Sequence, residues 1–232
     1  MIRLDKYLCH AGYGTRKEVK KVIRNGWVCV NGKTIRNDDF KIDEMTAEVL
    51  IDGTPVSYQK YYYIMLNKPS GYVSATIDDH YPTVLDLIDE DYAFHLFPVG
   101  RLDVDTEGLL LLTNDGQFSH NLLSPRKHVD KEYYVELDHE YTDEDIFQLT
   151  KGVRLNEEEK ALPANVERIN DNSMYLTIQE GKYHQVKRMM HAIDNEVVYL
   201  QRVRIGSLVL DKNLPLGGYR PLQGEEITAL LK

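Results

Sequence analysis

The chain has 232 residues, 42% apolar and 28% charged, which fits a folded protein with one ordinary domain and a small extra one, and excludes a disordered or fibrous chain. Its longest aliphatic run, Leu109 to Leu112, falls far short of the roughly 18 residues that a membrane span needs. The net charge of -9 argues against a nucleic-acid binder, yet residues 1–36 hold nine Lys and Arg against two acidic residues, and the remainder holds nineteen against thirty-five.

The opening stretch, MIRLDKYLCHAG, turns polar at once and offers no signal-peptide segment. Two cysteines, Cys9 and Cys29, make no disulfide framework and match no zinc spacing. A cytoplasmic protein without a structural metal and without a membrane partner is expected.

Leu4, Tyr7, Leu8 and Ala11 recur at helical spacing and Gly12 to Gly14 stop them. Thr15 and Glu18 form a capping-box pattern for a second helix, with Val19, Val22 and Ile23 on its apolar side and Gly26 as its stop. Lys17, Lys20, Lys21 and Arg24 fall on the other side. Trp27 to Val30 then reads as a strand, with Trp27 as a core candidate; Asn31-Gly32 and Asp52-Gly53 read as tight hairpin turns. No aromatic platform is interleaved with the basic residues, so contact through phosphates and RNA shape is expected rather than base stacking. The runs RLDKYLCHAG, TRKEVKKVIRNG and VCVNGK resemble the small RNA-binding domain shared by a ribosomal small-subunit protein and tyrosyl-tRNA synthetases. That resemblance implies that Arg3, Lys6, Arg16, Lys17, Lys20, Arg24 and Lys33 face structured RNA. The first domain is taken as residues 1–58 and the second as 59–232.

In the second part Tyr61 to Leu66 reads as a strand, and Asn67-Lys68-Pro69-Ser70-Gly71 as a turn with a cation at its edge. A short helix is predicted over 83–88, a four-leucine strand at 109–112 and a helix over 117–123. Strands follow at 133–137 and 174–178, helices at 146–149 and 186–193, then a strand at 208–210 and a short helix after Gly224. Numerous strands, short helices and irregular connections predict an α+β domain on a mainly antiparallel mixed sheet. Acidic triplets at 89–91, 143–145 and 157–159 are assigned to solvated faces or helix starts.

Neither a phosphate loop nor a dinucleotide fingerprint is present, and the eight histidines are scattered. Asp103 and Asp105 would share a face of an extended segment, as paired carboxylates do in glycoside chemistry, although acidic residues in glycine-containing connections more often cap turns. The whole phrase GRLDVDTEGLLLLTNDG, with NKPSG at 67–71, KEYYV at 131–135 and EGKYHQVKRMM at 180–190, resembles the signature of RNA pseudouridine synthases. EGKYHQVKRMM with GGYRPL at 217–222 is most similar to the branch that modifies small-subunit (16S) ribosomal RNA. The resemblance spans essentially the whole chain.

It implies isomerisation of uridine to pseudouridine with no cofactor and no metal, on structured ribosomal RNA or an assembly intermediate, by a monomer. Asp103 takes the position of the nucleophile and Lys187 that of its cationic partner, a point charge without a bidentate fork. Tyr133 takes the position of the aromatic residue against the base. Tyr133 and Tyr134 point to opposite faces of a strand, so only one can line a pocket. Lys68, Arg101, His184, Gln185, Arg188 and Arg204 are assigned to substrate binding, His184 and Arg188 as helix neighbours four apart. Competing readings are a noncatalytic RNA-binding assembly factor, a synthase acting on large-subunit RNA, and a carboxylate-based hydrolase; the last leaves the basic head without a use.

Overall fold

A computed structural model describes residues 1–90, 92–124 and 127–231. The chain divides into two compact units: Met1–Tyr62 with Asp89–Leu96, and Tyr63–Ile88 with Phe97–Lys232. The segment 89–96 thus returns to the first unit, a tertiary fact that no local composition shift marks.

The first unit contains β1 (Ile2–Arg3), α1 (Leu4–His10), α2 (Arg16–Arg24), β2 (Val28–Val30), β3 (Lys33–Ile35), β4 (Lys41–Ile42), β5 (Val49–Ile51) and β6 (Thr54–Pro55). The predicted capping box at α2 is present: Thr15 and Glu18 exchange side-chain and backbone bonds, which satisfies helix donors that have no partner within the helix. Leu4, Leu8, Val19, Ile23 and Val28 are buried together, so the apolar sides of both helices pack on the sheet β3-β2-β5-β6. Asn31 and Gly32 both take positive φ, 49° and 77°, the conformation of the hairpin turn between β2 and β3. Trp27 departs from expectation. It precedes the strand and is 57% exposed, because the strand alternation buries Val28 and Val30 instead.

The second unit contains β7 (Tyr63–Lys68), β8 (Phe97–Val99), β9 (Glu107–Thr113), α3 (Gly116–Leu123), β10 (Lys131–Leu137), α4 (Asp143–Lys151), β11 (Asn165–Arg168), β12 (Ser173–Ile178), α5 (Gln185–His191), β13 (Val197–Ile205), β14 (Leu208–Val209), β15 (Tyr219–Pro221) and α6 (Gly224–Leu230). The helix expected over 83–88 is a 3-10 turn, Val84–Leu87. The sheet runs β11-β12-β10-β13-β9-β7-β15, with β8 on β9 and β14 on β13. Among the strands of the described residues only β9 and β13 pair in parallel, so the expected mainly antiparallel mixed sheet is what the residues form. Leu109 to Leu112 are all at most 1% exposed although they alternate in direction, so both faces of the sheet are covered at β9. Each such leucine contributes roughly 1.5–3 kcal/mol on burial. The acidic triplet 143–145 opens α4, with Thr142 and Asp145 in a capping box, where carboxylates complement the helix dipole.

Candidate active site

The site sits where the connection into β9 meets the start of α5. Arg101, Leu102, Asp103, Thr106, Tyr133, Lys182, His184, Gln185 and Lys187 line one open cleft with Ile178, Val186 and Leu200, of about 70 Å³. Tyr133 is 7% exposed and lines the cleft, whereas Tyr134 bonds Glu136 and packs edge-on to Tyr175 and Tyr199. The opposite-face expectation holds.

Residues 101–106 form a turn rather than an extended segment, closed by Thr106 N–H donating to the Asp103 carbonyl at 3.1 Å. Both carboxylates still reach one cation. Lys187 Nζ lies 3.7 Å from Asp103 and 2.6 and 2.7 Å from the two Asp105 oxygens. The expected pairing with Asp103 is therefore shared, and Asp105 holds the nearer place. Burial pushes the Asp105 carboxyl up, but the Lys187 hydrogen bond and charge outweigh it and hold the carboxyl below its ordinary value. His184 Nε2 stands 3.5 Å from Asp103. His184 is not a helical neighbour of Arg188 as expected: it takes φ 47° just before α5 and stacks on Tyr183 with ring centroids 3.8 Å apart.

Several substrate-binding assignments change. Lys68 is 0% exposed, and its ammonium donates to the carbonyls of Pro69, Val104 and Thr106 at 3.1, 3.2 and 2.8 Å. It fastens the Asp103 loop to β7 and does not face the cleft. Burial lowers its pKa to about 8, against the opposing charges of Asp105, Glu107 and Asp103. Gln185 borders the cleft, but its amide is buried and bonds Glu180 at 2.8 Å and the Lys182 N–H at 2.9 Å. Arg188 pairs with Glu159 and donates to the Tyr183 carbonyl, bracing the loop before α5. Arg204 pairs with Glu132 and donates to the Gly206 carbonyl, outside the cleft. Arg101 is exposed at the rim and has no ion pair among the described residues. Two residues escaped the sequence reading. Lys182, paired with Glu180, lines the wall, and the Thr106 hydroxyl is buried there without a partner among the described residues. Thr106 lies within the quoted signature, so its hydroxyl was available as a signal.

In the first unit the basic side chains separate into two sets. Arg3 pairs with Asp5 and Asp39, Lys20 with Asp38 at 3.0 Å, and Arg24 with Asp38 at 3.3 Å. Lys6, Arg16, Lys17 and Lys33 are exposed and have no ion pair among the described residues. Asp5, Asp38 and Asp39 are close enough to one another to face a cation, and Arg3, Lys20 and Arg24 supply that charge. Counted over the whole unit, eleven Lys and Arg meet eleven Asp and Glu, so the excess read from residues 1–36 is a local face and not a property of the unit.

A mixed sheet thus carries an aspartate loop, a basic helix start and a buried tyrosine around one cleft. Residues 62–192 match the RNA pseudouridylate synthase family and residues 2–47 match the S4 domain. The chain is 50% identical to an uncharacterised RNA pseudouridine synthase of Bacillus subtilis, YtzG, over 99% of this chain and 98% of that one. It is 45% identical to the ribosomal small subunit pseudouridine synthase A of Escherichia coli, over 99% of this chain and 100% of that one. A crystal structure of a pseudouridylate synthase superposes with a TM-score of 0.71 at 40% identity, covering 99% of this chain and 100% of the other. The chain belongs to the bacterial ribosomal small-subunit pseudouridine synthase family.

Proposed function

We propose that the protein converts one uridine of small-subunit ribosomal RNA to pseudouridine, with residues 59–232 performing the chemistry and residues 1–58 holding the RNA. The observation that carries the reading is the convergence of Asp103, Lys187 and Tyr133 on one cleft. The stacked uridine is first extruded, at a cost of a few kcal/mol that is least where the RNA is already loose. Asp103 then attacks, most simply at the anomeric carbon, and displaces uracil. The freed base turns against Tyr133 and its carbon 5 attacks the anomeric carbon, which breaks the bond to Asp103 and releases the carboxylate; carbon 5 then loses its proton, and the nitrogen released from the sugar gains one. Nothing is added or removed overall, so the chemistry asks for no redox partner. Lys187, 3.7 Å from Asp103, sets a positive charge beside the carboxylate that attacks. Tyr133, buried in the cleft wall, packs on the base and takes part in the proton transfer from carbon 5.

Among the described residues no helix is long and apolar enough to cross a membrane. A monomer working in the cytoplasm on ribosomal RNA or an assembly intermediate completes the proposal, and the buried free thiol of Cys9 suits a reducing compartment. The test is pseudouridine mapping of ribosomal RNA after loss of the protein, then restoration with wild type or Asp103→Asn. One small-subunit uridine should lose its modification and regain it with wild type alone, and the purified protein should act in the presence of a chelator. Unchanged maps in both ribosomal RNAs would overturn the reading.

A further inference from the structure

A second cavity, of about 190 Å³, lies wholly within the first unit. Its walls come from α1, from the start of α2 and from the returning segment 89–96: Lys6, Cys9, His10, Arg16, Phe94 and His95 take part. Among the described residues, none that lines it is acidic. Lys6 and Arg16 are exposed, and neither has an ion pair among the described residues.

The two imidazoles have uncommon settings. His95 Nε2 is 2.8 Å from the Cys9 carbonyl, an acceptor only, so that nitrogen donates the bond. His10 meets His95 edge-on at 5.4 Å, and its Nδ1 is buried without a partner among the described residues. Lys6 and Arg16 repel one another across this space unless an anion sits between them, and protonated imidazoles beside them would add to that repulsion. A phosphate group supplies such an anion.

We propose that this cavity is a phosphate site for the RNA backbone, in which Lys6 and Arg16 supply fixed charge and His10 and His95 close on the ligand when protonated. The ligand's source rests on the function proposed above; the site rests on the cavity. Segment 89–96 thereby gives the RNA-holding unit a cation from a distant part of the chain.

Burial, then the charges of His95, Lys6 and Arg16, push His10 below its ordinary pKa, and Glu44 opposes them. Glu44 is itself paired with Lys60 at 2.7 Å. A bound phosphate reverses this balance, so occupancy and protonation favour each other. Affinity should therefore rise as pH falls through the imidazole range, about 6.5 and below.

The test compares full-length wild type with the double variant His10→Gln/His95→Gln and with Lys6→Gln/Arg16→Gln, each first shown to unfold at the wild-type temperature. Binding to a small-subunit RNA fragment is measured from pH 8 to pH 5.5 and across salt. Wild type should gain about five- to tenfold in affinity over that range, and the histidine double variant should stay within about twofold. The Lys6/Arg16 variant should lower the salt slope by about one unit for each phosphate contact removed. The imidazole signals of His10 and His95 should move on adding the RNA, and on adding inorganic phosphate in wild type but not in the Lys6/Arg16 variant. Equal pH profiles for wild type and the histidine double variant would overturn the site. Signals that respond to inorganic phosphate but not to RNA would overturn the backbone as its ligand. Failure of the function shows separately, as wild type that binds RNA and makes no pseudouridine.

Discussion

Lys187 stands between two carboxylates, and its distances set what each substitution should do. Asp105 holds the lysine at 2.6 Å and Asp103 lies 3.7 Å away, so Asp105→Asn releases Lys187 toward Asp103. That variant should keep single-turnover activity within about tenfold of wild type, whereas Asp103→Asn should show none with RNA binding intact. Equal loss in both would place the essential carboxylate wrongly. Lys68 carries a second residue-scale prediction. Its folded pKa of about 8 lies below the ordinary 10.5, so between those values the unfolded chain binds more protons than the folded one. Stability then rises with pH across that window, by on the order of 3 kcal/mol from this group. Urea unfolding from pH 7.5 to 10.5 should show the rise in wild type and lack it in Lys68→Met. Parallel curves would mean that the buried ammonium keeps its ordinary pKa.

The elements explain why the Asp103 loop can be held at all. The parallel pairing of β9 with β13 sets Gly108 against Arg202 and Glu107 against Gln201, which fixes the loop's exit. Gly108 has φ 96°, and a β-carbon there would stand 2.3 Å from the Arg202 carbonyl. Both the conformation and the backbone approach demand glycine. Gly108→Ala should cost about 3 kcal/mol or more in urea denaturation and should also slow chemistry, because β9 cannot close on β13. A loss below about 1 kcal/mol would contradict this geometry. The sequence showed the glycine and the four leucines, hence the strand, but not its parallel neighbour. Asp103, Tyr133 and Lys187 were named through their phrases, and all three line one cleft. Lys68, Gln185, Arg188 and Arg204 were read as substrate contacts because their charge or polarity was visible. What the sequence does not show is the carbonyl or carboxylate that the fold brings near, such as Thr106 for Lys68 or Glu159 for Arg188. Short strands such as β11 and β15 passed unread, since four or three residues carry little alternation.

At the scale of the whole molecule, a chain of net charge -9 must hold a polyanion, so the arrangement of its cations matters more than their number. In α2, Lys17 and Lys21 are exposed without an ion pair among the described residues, while Lys20 and Arg24 both lean on Asp38. An RNA phosphate at Lys20 or Arg24 must compete with a carboxylate already there, and releasing that pair offsets part of the gain. Lys17 and Lys21 meet a phosphate without that competition, so each such contact releases counterions in full. The two lysines therefore should dominate the salt dependence of α2. Lys17→Gln/Lys21→Gln should lower the slope of log affinity against log salt by about two units if both contact phosphate, and Lys20→Gln/Arg24→Gln by clearly less. At saturating RNA the Lys17/Lys21 variant should recover most of its single-turnover rate, because Asp103, Tyr133 and Lys187 are untouched. Binding isotherms from 50 to 300 mM salt, paired with single-turnover pseudouridine formation, separate the effects. A larger slope change in the Lys20/Arg24 variant would show that RNA displaces Asp38 and that the paired cations are the true contact. A rate that stayed low at saturation would show that the head also takes part in presenting the uridine.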